Sequence, residues 1–200
     1  MKTFISLFAL FLSLSLTAQT NTATWYLNDT SGNGIQTSSN TASGSVSVAM
    51  GVGTTASGQY STSMGVETTA SGGRSTAMGH QTEASGDFST AMGRETTASE
   101  YGSTAMGEGT TASGNYSTAM GYSTRASGGI STAMGNTTIA SGFASTTMGQ
   151  LTTASGDYST AMGLSTTASD YASLVIGQWN LAGSTTTNSP TEYSTDNTVL

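Results

Sequence analysis

Small and apolar residues recur along this chain on a step of fourteen that never slips. Numbering the unit from its first serine puts Ser47, Ser61, Ser75 and their successors to Ser159 at position one. Positions one to five then read Ser-Thr-Ala-Met-Gly, with Val48, Ser63 and Thr147 as the substitutions. Position eight is threonine from Thr54 to Thr166, positions ten and eleven are Ala-Ser throughout, and position twelve is glycine except at Glu100 and Asp170. Methionine fills position four at Met50, Met64, Met78, Met92, Met106, Met120, Met134, Met148 and Met162, and Ser173-Leu174-Val175-Ile176-Gly177 adds a tenth rung with Ile176 in that slot.

The charges show which positions meet water. Glu67, Arg74, Glu83, Asp87, Arg94, Glu95, Glu100, Glu108, Arg125, Asp157 and Asp170, together with His80, fall only at positions six, seven, nine, twelve, thirteen and fourteen. Strand side chains alternate between two faces, so a segment uncharged at both parities is covered on both. Position nine accepts Thr55, Glu83, Arg125 and Ile139 between invariant neighbours, the mark of a strand with one packed face and one wet face. Two strands of about five residues and two turns would fill the unit as one coil of a β-solenoid, with glycine at five and twelve easing the turns. Helix is a poor alternative, since Thr, Ser and Gly are weak helix formers and a glycine recurs at least every fourteen residues.

A coil this narrow needs small side chains inside, so positions one, three, five, eight and ten are expected to point inward. The threonines at two and methionines at four then point outward, stacking an apolar ladder at about 4.8 Å per rung. A stripe of that kind on a lone chain is a liability. The ten side chains Met50 to Ile176 are therefore the expected seam with other copies of the chain; the rival reading turns methionine into the coil of a monomer. Burying each would contribute roughly 1.5–3 kcal/mol, and methionine adapts to an imperfect seam.

Composition alone would suggest disorder, because large aliphatic residues are scarce and the hydrophobic fraction is 35%. The fixed period overrides it, since disordered tracts have no reason to keep frame. Residues 1–18 differ: Lys2, an apolar run from Phe4 to Leu16 and Thr17-Ala18 read as a signal peptide. That run is too short to span a bilayer and no later stretch is apolar enough to do so. Residues 19–41 are expected to cap the array, 42–177 to form it, and 178–200 to be a Ser/Thr-rich C-terminal segment. Cysteine is absent, so no disulfide supports the exported fold. Four basic against eleven acidic residues make nucleic acid an improbable partner.

The alternation Ser-x-Ala-Met-Gly, then Ala-Ser-Gly, on a fourteen-residue step resembles the head repeats of YadA-type trimeric autotransporter adhesins, whose hallmark reads like Ser-Val-Ala-Ile-Gly. Ser47-Val48-Ala49-Met50-Gly51 and Ser173-Leu174-Val175-Ile176-Gly177 come nearest, and the resemblance runs from about Ala42 to Gly177. It implies an all-β, left-handed parallel β-roll of about ten coils, a homotrimer, and a role in attachment to host or environmental surfaces at the bacterial surface, outer membrane or extracellular space. That family continues into a coiled-coil stalk and a membrane barrel. Neither pattern follows Gly177, so anchoring and self-export are not carried over.

Catalytic chemistry finds little to work with. His80 stands alone at a variable turn position, and invariant serines that recur nine times suit packing rather than one active site. Asp87, Asp157 and Asp170 lack the regular spacing of a calcium roll, and Gly32-Asn33-Gly34 reads as a turn in the cap. No metal or cofactor is expected. The aromatics at position fourteen, Tyr60, Phe88, Tyr116 and Tyr158, with Ile130, form a discontinuous outer row, joined by Tyr101, Phe143 and Tyr171 one place earlier. They are candidate ligand contacts, although shielding of the turns explains them as well. Two further readings are ice binding by the Thr-Ala-Ser row at positions nine to eleven, interrupted by Glu83, Arg125 and Ile139, and a passive spacer in a secreted or phage-like fibre.

Overall fold

A computed structural model describes residues 39–179. The expected signal peptide at residues 1–18, most of the expected cap with Gly32-Asn33-Gly34, and residues 180–200 lie outside the described residues. Each fourteen-residue unit makes one coil, and the coils stack into a parallel β-solenoid without a helix among the described residues. One ten-stranded parallel sheet collects the five-residue strands, from Val48–Val52 to Leu174–Gln178. The other collects ten two-residue strands, from Thr41–Ala42 to Thr167–Ala168. The second strand of each coil is thus two residues long rather than about five, because positions eleven to fourteen already belong to the next turn.

Register is in phase along the whole array, as in Thr104 beside Thr118, Ala105 beside Ala119 and Met106 beside Met120. Equal residues therefore stack on equal residues. The expected interior is found at positions one, three, eight and ten: Ser61, Ser63, Thr68 and Ala70 are buried, and so are their counterparts through Ser159, Ala161, Thr166 and Ala168. No fully buried side chain among the described residues is larger than threonine. Each buried methyl contributes only about 0.8 kcal/mol, so backbone pairing between coils carries a large share of the cohesion.

Position five was expected inside and is not. Gly65 is half-buried and Gly107 exposed, with φ of 125° and 119°. A Cβ on Gly65 would run into the carbonyl oxygen of Gly79 in the next coil. Glycine stands here because coils approach too closely for a side chain and because this backbone is one L residues avoid.

The turns themselves are made elsewhere. Left-handed φ occurs at positions seven and fourteen, half a unit apart, at Glu67 (54°), Gln81 (54°) and Glu95 (54°), and at Tyr60 (59°), Phe88 (59°) and Tyr158 (60°). Both corners use one hydrogen bond to the preceding coil: the Glu67 amide donates to the Val52 carbonyl (2.8 Å), and the Tyr60 amide to the Ser45 carbonyl (2.9 Å). The strand amides point the other way, as Thr62 to the Ser75 carbonyl (2.9 Å). In some coils the serine hydroxyl at position one closes the turn before it, with Ser145 Oγ donating to the Gly142 carbonyl (2.7 Å) and Ser159 Oγ to that of Gly156 (2.6 Å). Glu100 replaces the usual glycine at twelve by turning outward, its amide donating to Ser103 Oγ (3.2 Å).

Candidate functional site

Two side-chain ladders run along the outside of the solenoid. The first lies on the outer face of the long sheet, where Met64, Met78, Met92, Met106, Met120, Met134 and Met162 are half-buried, as is Met50. Met148 is 38% exposed and Ile176 47%. None belongs to the core, which is alanine, serine and threonine. Threonine at position two flanks this ladder on one side. On the other, the glycine column at five leaves bare backbone beside the methionines, so another surface can come close.

The second ladder follows the corner at positions thirteen and fourteen. The Tyr101 ring lies 5.2 Å from that of Phe88 and 5.3 Å from that of Tyr116, centroid to centroid, in tilted and edge-on pairs. Tyr158 stands 5.6 Å from Phe143 and 5.5 Å from Tyr171. Arg74 bridges the start of the row, its guanidinium 5.4 Å from the Tyr60 centroid and 5.1 Å from that of Phe88. The row is more continuous than its sequence positions suggest. Where the aromatic moves to position thirteen, position fourteen is Gly102, Ala144 or Ala172, so every coil supplies one large side chain to the same column. That inverse pairing was present in the sequence and is the signal by which the column could have been found.

The scattered acids at this corner have a local role. Asp87 Oδ1 accepts the Gly73 amide (2.7 Å) and Asp157 Oδ1 the Phe143 amide (2.8 Å), each one coil back. At the opposite corner, Arg94 pairs with Glu108 (3.0 Å) and Glu95 (2.9 Å), and Gln81 Nε2 donates to Glu67 (2.9 Å). These pairs are exposed and contribute little each. His80 is exposed on the same corner. Among the described residues no group of three or more His, Asp or Glu side chains could hold a metal ion, and no helix is long and apolar enough to cross a membrane.

A search of curated proteins found no match. The family profile for the YadA head domain repeat, which spans two copies of the unit, matches residues 42–68, 70–96, 98–124 and 154–178. Those segments cover more than half of the chain and keep the same fourteen-residue frame as the coils. The solenoid of residues 42–178 is a run of YadA head repeats, and the chain belongs to that family.

Proposed function

We propose that this chain is the head of an exported, homotrimeric surface protein, in which left-handed β-rolls pack along their methionine ladders and present a repetitive outer surface for attachment. The column Met50 to Met162, half-buried except at the exposed Met148, outside the core and beside a bare glycine backbone, is the observation that supports it. Burial of these side chains against neighbouring chains would recover much of the roughly 1.5–3 kcal/mol that each can contribute. A head of this kind works by many weak contacts repeated along each chain and across three chains, which raises avidity without one strong site. Membership of a family of adhesin-type heads supports the same reading and gives no indication of catalysis.

Sedimentation of the mature chain at micromolar concentration tests the assembly, with a trimer expected. A folded monomer would refute the methionine seam. In the Met106→Glu, Met120→Glu double variant, charges placed in the seam should dissociate the trimer, while circular dichroism still reports β-structure.

A further inference from the structure

Each of the nine coils from Ser47 to Ala172 places one large side chain on a single corner: Tyr60, Arg74, Phe88, Tyr101, Tyr116, Ile130, Phe143, Tyr158 and Tyr171. Corner geometry does not demand this. The opposite corner has the same left-handed residue and the same hydrogen bond to the preceding coil, yet its large side chains at positions six and seven are mostly aliphatic, charged or amide, such as Val52, Val66, Arg94, Gln150, Leu151 and Leu164, with Tyr122 the sole Tyr, Phe or Trp of these nine coils and Trp179 following in the tenth. Tyr60, Phe88, Tyr116 and Ile130 also occupy a backbone conformation that bulky residues adopt at a cost. Turn shielding is met by aliphatic side chains at the opposite corner, so it does not account for the concentration of aromatic rings at this one.

We propose that this corner is a binding track for a neutral, extended, β-linked glycan, lying along the solenoid axis with about one pyranose ring per coil. This rests on the attachment reading and names its ligand. The rungs repeat at about 4.8 Å, close to the advance of one pyranose along such a chain. Neighbouring rings are tilted by 56° to 73° rather than stacked flat, and the aromatics remain 43–63% exposed. Flat, half-exposed rings suit the apolar faces of sugars, and the tyrosine hydroxyls supply hydrogen bonds at the rim. Asp87 and Asp157 stand in the column with Glu100 and Asp170 one place before it, against Arg74 as its basic member, a balance that disfavours anionic polysaccharides. A polyproline-type peptide repeats at about 9.3 Å per turn, which would call for a contact on alternate coils rather than on every one.

The test uses the full mature chain, with insoluble cellulose and chitin as affinity supports and cellohexaose as the soluble probe by tyrosine fluorescence. Wild type should be retained on the supports and bind the hexasaccharide. Tyr101→Ala and Tyr116→Ala should each weaken binding about three- to tenfold, Tyr101→Phe should preserve it, and Tyr122→Ala at the opposite corner should leave it unchanged. Should either alanine variant lose its circular dichroism spectrum, Phe143→Ala and Tyr158→Ala take its place. No retention of wild type overturns the proposal, as does binding confined to anionic polysaccharide or to a polyproline peptide, or equal weakening by Tyr122→Ala. Attachment of wild type to cells or minerals that persists in Tyr101→Ala/Tyr116→Ala and in excess cellohexaose overturns the glycan track while leaving the attachment reading intact.

Discussion

Ser63 and Thr68 meet across the interior of one coil: the Ser63 hydroxyl donates to the Thr68 carbonyl (2.9 Å), and the two hydroxyl oxygens lie 2.7 Å apart. In the other eight full coils position three is alanine, apart from Thr147, whose buried hydroxyl finds no partner, nor does that of Thr152 opposite it. A buried hydroxyl without a partner costs about 1–3 kcal/mol. Thr147→Ser should let this coil copy the Ser63–Thr68 arrangement and stabilise the chain by about 1 kcal/mol. Thermal melts of the two proteins check the sign, and a lower midpoint for the serine variant would show the methyl group to matter more.

Glycine at position five should be far less replaceable inside the array than at its end. A Cβ on Gly107 would collide with the Gly121 carbonyl, whereas one on Gly177 meets nothing within 4 Å. Both residues have positive φ, 119° and 132°, which alone costs an alanine about 1–3 kcal/mol. Gly107→Ala should therefore melt well below Gly177→Ala, by more than that strain explains. Equal melting temperatures would mean the coils can separate locally at little cost.

The Arg94 ion pairs should be nearly dispensable. Its side chain is 57% exposed and its partners Glu95 and Glu108 are 50% and 47% exposed. Arg94→Ala should cost under about 1 kcal/mol, a difference that shrinks further in molar salt. Chemical denaturation at low and high salt measures both numbers.

The mature protein should show no thermal hysteresis. The two-residue strands do line up Thr55, Thr69, Thr97 and Thr111 on an outward row, yet Glu83, Arg125 and Ile139 interrupt it on exposed rungs. Ice-crystal growth observed in a cooled solution of the chain is the check, and arrested growth would point to the threonine row.

The interior was readable from sequence because each position is sampled nine times and charge is excluded wherever water is. Parity then placed Ser, Ala, Thr and Ala correctly at one, three, eight and ten. It failed at position five, since Gly65 and its equivalents leave the alternation through a φ that only the packing between coils requires. The short second strand escaped for a similar reason: Ser71 and Gly72 both donate to the Ala84 carbonyl (3.0 and 3.2 Å), which bends the chain out of the sheet immediately after Ala70. Tyr101 and Phe88 differ by one place in the unit, so the row they form looked discontinuous. The left-handed corner brings both into one column.

Strands touch only strands of their own coil and of the coils directly before and after. Such a molecule has no built-in length. Duplication or loss of fourteen codons in frame would add or remove one rung and leave every remaining contact as it was. The distance to which the surface reaches, and the number of repeated contacts it offers, can thus change by recombination between near-identical stretches of its own gene, without any new side chain being invented.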